Sequence, residues 1–218
     1  MPKLQSLNRP DSLSKLAYDA LLKSILSGEL TSSEIYNEKA LAEELGISRT
    51  PVREALLELS VQGMVQFLPR KGITVNRFTE HDVVEIFEIR RAIESAAVEK
   101  VARLSPPVDM NRVDKTLADQ IKAAGKNDVE GFLAADRAFH VLFSELTTNR
   151  RMKEIMENIR NLVHLMSIQA LRVSGRAEIV LEEHRRIIQA VKDGNAKAAR
   201  TAMLDHLVES EKAVLEAL

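Results

Sequence analysis

The chain has 218 residues, of which 45% are hydrophobic and 29% charged; that excludes a disordered or fibrous chain and leaves room for one large domain or two small ones. Cys and Trp are absent and only 4% of residues are aromatic, so there is no disulfide framework, no thiolate metal site, and a core that aliphatic side chains must build, as in helix packed on helix. The formal net charge is −1, with ten Lys/Arg against nine Asp/Glu in residues 1–77 and twenty-one against twenty-three in the rest, so any contact with nucleic acid must be local.

Met1 to Asp11 is polar and carries no apolar run of signal-peptide type. No stretch of about 18 apolar residues occurs, so no membrane span is expected, and a cytoplasmic location fits. The first helix is expected over 12–27, from the helical spacing of Leu13, Leu16, Ala17, Ala20, Leu21 and Ile25, with Gly28 as its stop. A polar loop leads to a short helix over about 37–45 that buries Leu41, Ala42 and Leu45, and Gly46 stands where a left-handed residue closes a helix. Ser48 or Thr50 can cap the next helix, Pro51 suits its first turn, Val52, Leu56 and Leu59 make its apolar stripe, and Gly63 ends it. Met64 to Leu68 and Ile73 to Val75 are β-prone runs around the four-residue turn Pro69-Arg70-Lys71-Gly72, a hairpin pattern.

Helix, short helix, tight turn, helix and hairpin in that order make a winged helix-turn-helix, whose third helix enters the major groove while the hairpin tip reaches the flanking backbone. Arg49 and Arg53 lie four apart, on one face near the start of that helix, and Arg can grip guanine O6 and N7 bidentately. Arg70 and Lys71 stand at the hairpin tip. Taken alone, either pair is as well read as a solvated surface; the ordered context favours DNA.

From Thr79 onward the pattern is helical throughout. Thr79-Glu80-His81-Asp82 resembles a capping box and opens a long helix to about 104. Ser105-Pro106-Pro107 interrupts, and further helices fit about 108–124, 128–147, 150–173, 176–193 and 195–217, punctuated by Gly125-Lys126-Asn127, Thr148-Asn149, Ser174-Gly175 and Asp193-Gly194-Asn195. The expected fold is mainly α: residues 1–77 as a winged helix-turn-helix DNA-binding domain, and 78–218 as an all-helical effector-binding and dimerisation domain. In the second part, Asp136 and His140 share the apolar stripe of Phe132, Phe139 and Phe143. His184 falls among Val180, Ile187, Ile188 and Val191, and His206 beside Met203 and Leu207. Unpartnered buried carboxylates and imidazoles cost several kcal/mol, and four of them could partner one another around a divalent ion: zinc, nickel, manganese or iron. His81 and His164 read as ordinary surface or core residues.

Two resemblances sharpen these readings. Gly28-Glu29-Leu30, Lys39-Ala40-Leu41-Ala42, the run Leu45-Gly46-Ile47-Ser48-Arg49-Thr50-Pro51-Val52-Arg53-Glu54-Ala55-Leu56, and Pro69-Arg70-Lys71-Gly72 resemble the DNA-binding domain of the GntR superfamily. The resemblance implies DNA contacts from Lys39, Arg49, Thr50 and Arg53, with Arg70, Lys71 and Gly72 at the wing. The family's usual Pro-Gly in the first loop is replaced here by Ser32-Ser33. Residues 80–217 resemble the all-helical effector domain, FCD, of the FadR branch, on Glu88 to Glu94, Asp136-x-x-x-His140, Asn149, Glu183-His184 and His206. In that branch an Asp and three His hold a divalent ion that helps bind a small organic acid; carried over, these are Asp136, His140, His184 and His206. Arg90 matches a cavity-facing arginine suited to an anionic effector, and Asn149 is taken with it; for Arg90 a salt bridge to Glu94 is the plainer alternative.

The expectation is a homodimeric regulator on a roughly palindromic operator, switched by a small carboxylate and a divalent metal. The effector would shift the helical domains of the dimer and so the separation of its two DNA-reading ends. Two rivals are a metal-dependent enzyme using the Asp/His cluster, and a structural helical dimer whose histidines are buried polar links.

Overall fold

The structure is a computed structural model and describes residues 12–104, 109–173 and 175–218. The polar Met1–Asp11 opening, the Ser105-Pro106-Pro107 break and Ser174 of the Ser174-Gly175 punctuation lie outside the described residues. The chain divides into two compact units, Met1–Arg77 and Phe78–Leu218.

Among its described residues, the first unit holds three helices and a hairpin: α1 (Leu13–Leu26), α2 (Glu38–Glu44), α3 (Arg49–Val61), β1 (Val65–Leu68) and β2 (Gly72–Val75). Ser12 caps α1 by accepting from the Lys15 amide, and Asn37 caps α2 through the Lys39 amide. Ser48 stands at the cap of α3 without a side-chain cap bond, and Pro51 is buried in its first turn. Val52, Ala55, Leu56 and Leu59 bury their whole side chains, as the stripe requires. The stripe of α1 differs from expectation. Leu13 and Leu16 are more than half exposed, and Tyr18 is buried with Ala17, Leu21 and Ile25. The Tyr18 hydroxyl donates to Gln62 just past α3, 2.7 Å away, so an amphipathic ring and not the first two leucines sets the buried face.

The hairpin is antiparallel, with Val65 opposite Val75 and Leu68 opposite Gly72. Gly72 therefore pairs, and the loop is three residues, Pro69-Arg70-Lys71, one fewer than the spacing predicts. Arg70 takes a left-handed φ of 63° at the tip. Tyr36 adds a bridge to β2 through two backbone bonds with Ile73, of 2.8 and 2.9 Å. That bridge explains Gly72: its φ is +133°, and a Cβ there would lie 2.1 Å from the Tyr36 carbonyl oxygen.

The second unit contains α4 (Glu80–Ala102), α5 (Asn111–Ala124), α6 (Val129–Leu146), α7 (Arg150–Leu171), α8 (Arg176–Lys192) and α9 (Ala196–Glu216). The capping box at α4 is complete, with Thr79 and Asp82 satisfying each other's amides. Apolar packing falls into clusters. One joins Val98, Phe139, Phe143, Ile187, Met203 and Leu207 from α4, α6, α8 and α9. A second joins Val83, Phe87, Met166 and Val214, and a third Phe132, Val180 and Leu181. The inward polar groups lie where these clusters meet. Among the described residues, no helix is long and apolar enough to cross a membrane.

Candidate nucleic-acid interface and metal centre

In the first unit, the tight turn after α2 brings the start of α3 beside the hairpin. A cleft of about 400 Å³ opens there, lined by Glu38, Arg49, Arg53, Arg70, Lys71 and Gly72 among others. Five of the sequence-selected residues thus share one concave surface. Thr50 is exposed in the first turn of α3 and Lys39 is exposed on α2, 3.6 Å from Glu43; neither lines the cleft. Sequence reading passed over Glu38. Its carboxylate accepts two bonds from Arg53 Nη1, at 3.0 and 3.1 Å. The Arg53 guanidinium also stands 5.9 Å from the centre of the Phe67 ring.

In the second unit, α6, α8 and α9 project His140, His184 and His206 to one point. The three are buried, and one ligand atom from each falls within 4.8 Å of the others. Phe139 stacks on His184 at 4.0 Å and forms one wall. Each imidazole is anchored through Nδ1: His140 to Glu94, His184 to Gln120 at 2.8 Å, and His206 to Glu183 at 2.7 Å. Holding Nδ1 fixes the ring and turns Nε2 toward the centre. His140 Nε2 and His184 Nε2 are buried with no hydrogen-bond partner among the described residues. Asp136 Oδ1 lies 3.7 Å from each of these two nitrogens. Ligands about 2.1 Å from a tetrahedral ion stand about 3.4 Å apart, so the donor set fits a divalent cation.

Electrostatics agrees with that fit. Burial pushes the pKa of His184 and of His206 well below the usual value, which leaves each neutral with a lone pair free. Burial alone would raise the Asp136 carboxyl, but Arg160 and the neighbouring histidines outweigh it and hold it well below the usual range. Its Oδ2 accepts from Arg160 Nη2. Glu94 likewise stays ionised against burial, held by Arg90 and His140. Glu183 shifts the other way: burial raises it despite Arg176.

Arg90 makes the salt bridge to Glu94 that was its plainer sequence reading. It is buried, donates from Nε to Glu94 at 2.7 Å, and lines a small cavity beside the cluster. That cavity, of about 40 Å³, is also lined by Asp136, Arg160, Ser167, Arg176 and His206. Asn149 is not brought there. It is exposed and caps α7 by accepting from the Met152 amide at 3.2 Å. His81 is a surface residue 3.1 Å from Glu85 and His164 is buried in α7; both stay within the ordinary surface-or-core reading. The sequence marks Glu94 only as a partner for Arg90, and nothing in its pattern marks Gln120, Arg160 or Arg176. Their signal was a polar residue on an inward face, which sequence spacing shows only once a facing helix is known.

A winged helix-turn-helix joined in one chain to a helical unit with an internal histidine cluster defines a class: transcriptional regulators with a helical second domain. Residues 13–75 match the family of bacterial regulatory proteins of gntR type, and residues 85–209 match the FCD domain. The chain is 34% identical to the HTH-type transcriptional regulator YdhC of Bacillus subtilis, covering 96% of both chains. It is 25% identical to the HTH-type transcriptional repressor RspR of Escherichia coli, covering 95% of this chain and 91% of that one. A crystal structure of a GntR transcriptional regulator from Rhodococcus sp. RHA1 superposes with a TM-score of 0.85 at 26% identity, covering 95% of this chain and all of that one. The protein belongs to the GntR family of transcriptional regulators, in the group that carries an FCD domain. It is a regulator and not an enzyme, since the matched families and relatives are transcriptional regulators.

Proposed function

We propose that the protein is a homodimeric, cytoplasmic repressor whose grip on operator DNA is set by a divalent metal and a small carboxylate in its helical unit. The observation that carries the sensing half is the convergence of three anchored, buried imidazoles with two Nε2 atoms left unpartnered. His140, His184 and His206, with Asp136, would hold the ion; zinc, nickel, manganese and iron all suit this set. Bound there, the ion would supply a Lewis-acidic attachment point for a carboxylate.

The residues around the cavity do the rest. Arg90, Arg160 and Arg176 line it, paired with Glu94, Asp136 and Glu183, and Ser167 lies in its wall, so an acceptor-rich anion that shares these donors would be favoured over a cationic ligand. A cavity of about 40 Å³ holds only about three waters, so any larger acid must move the helices around it. That gives the effector unequal affinity for two arrangements, the requirement for any switch. At the other end, Arg49 and Arg53 would meet base edges, with Arg70, Lys71 and Gly72 on the flanking backbone. Lys39 and Thr50 would contact phosphate from outside the cleft. We assign Asn149 to capping α7 and not to the effector. The sign of regulation follows RspR, which is a repressor.

The test is operator binding by the full chain, with and without zinc, across a panel of two- to six-carbon mono-, di- and hydroxycarboxylates. At least one acid should change operator affinity five- to 150-fold, the usual span of allosteric coupling, and only with metal present. An affinity indifferent to every acid in both conditions would refute the sensing role.

A further inference from the structure

Four cations line the DNA-facing cleft: Arg49, Arg53, Arg70 and Lys71. A site built only for phosphate would gain from every one of them and would exclude acid. Yet Glu38 lines the same cleft, its side chain only 14% exposed, and its carboxylate spans Arg53 Nη1 with both oxygens. It comes from α2, fifteen residues away, so the pairing is not a by-product of neighbouring turns on one helix. The Arg53 guanidinium is thus fixed on two sides, by the carboxylate and by the Phe67 ring at 5.9 Å, while its side chain remains 59% exposed toward the cleft. One end of the fork is held and the other is offered.

We propose that Glu38 is the specificity-determining positioning residue of the DNA-reading face, holding Arg53 for base edges and withholding it from phosphates. The inference rests on the reading that Arg53 meets DNA. The physical reasons are two. A guanidinium reads guanine only when its plane is aligned with O6 and N7, and a long side chain fixed beforehand loses less freedom on binding. A carboxylate at the interface also repels the phosphates of any duplex, and only where Arg53 meets an aligned base edge is that cost offset.

The experiment uses the full chain and two duplexes: one that the wild-type protein enriches from a randomised pool, and one of equal length with that sequence scrambled. Dissociation constants are measured over a range of salt for wild type, Glu38→Gln, Glu38→Asp, Arg53→Ala and the double variant Glu38→Gln/Arg53→Ala. Thermal unfolding confirms that each is folded. In Glu38→Gln the preference for the enriched duplex should fall about tenfold, the scrambled duplex should bind more tightly, and its salt slope should steepen by about one. Glu38→Asp should restore part of the preference. With Arg53 already replaced, Glu38→Gln should change the preference less than twofold. If Glu38→Gln strengthens both duplexes equally, Glu38 acts as a bulk charge and the proposal fails. It fails also if the loss of preference persists without Arg53, since Glu38 then reads DNA by itself. An Arg53→Ala protein with wild-type affinity and preference overturns the underlying DNA assignment together with the proposal.

Discussion

The two units use charge in opposite ways. In the first, Arg49, Arg53, Arg70 and Lys71 are exposed and gathered on a cleft, where water screens them until a polyanion arrives. In the second, Arg90, Arg160, Glu94, Asp136 and three histidines are all buried, and every one touches another. Exposed charge is cheap to keep and worth little to stability. Buried charge is costly unless paired, so what points to a ligand is what the pairing leaves over, His140 Nε2 and His184 Nε2, which have no hydrogen-bond partner among the described residues. The lesson is that the same residue types report binding at the surface through clustering, and in the interior through the atoms left over once the pairing is complete.

The largest effects should separate the two units cleanly. Arg53→Ala should weaken binding to the enriched duplex ten- to a hundredfold while metal uptake is unchanged, measured by fluorescence anisotropy and by metal titration. His184→Ala should do the reverse, abolishing tight metal uptake while metal-free DNA binding stays within twofold. If either variant disturbs both readouts equally, the division of labour breaks. Gln120→Ala, which removes the Nδ1 anchor of His184, should cost 10- to 100-fold in metal affinity without touching a ligand.

Smaller effects sharpen the comparison through stability. Gly72→Ala forces a Cβ against the Tyr36 carbonyl at a left-handed φ and should cost about 1–3 kcal/mol in denaturant unfolding, confined to the first unit. His184 and His206, buried in the second unit, should make the metal-free protein acid-sensitive. Because their folded pKa values lie below the unfolded value of about 6.5, the unfolded state binds more protons below that pH. Stability is therefore present above pH 6.5 and declines as the pH falls below it. The melting temperature should drop from pH 7.5 to 5.5, and His184→Gln should flatten that dependence.

What the sequence disclosed divides along the same line. The first unit was legible as a continuous run, Ser48 to Leu56, because the tight turn, cap and helix that it encodes are local. Its errors came from contacts distant in sequence: Tyr18 reaches Gln62, 44 residues on, and displaces Leu13 and Leu16 from the core, and Gly72 pairs with Leu68 beside the bridge between Tyr36 and Ile73. In the second unit, the 3.6-residue period placed Asp136, His140, His184 and His206 inward. It could not reveal that Glu94, Gln120 and Glu183 hold the imidazoles, because those contacts join helices 23 to 64 residues apart in sequence. Asn149 shows the opposite limit: a matching residue at a helix cap carries no sign of the cavity it does not reach.

Buried imidazoles that form a metal site, and are not merely polar links in a helical core, take up a divalent ion. The most direct measurement is calorimetric titration of zinc into chelator-treated full-length protein, alongside His184→Ala. One ion per chain should bind, tightly in the wild type and not in the variant, while both remain folded at pH 7.5. A wild-type protein that takes up no ion, or a variant that binds it just as well, would contradict it.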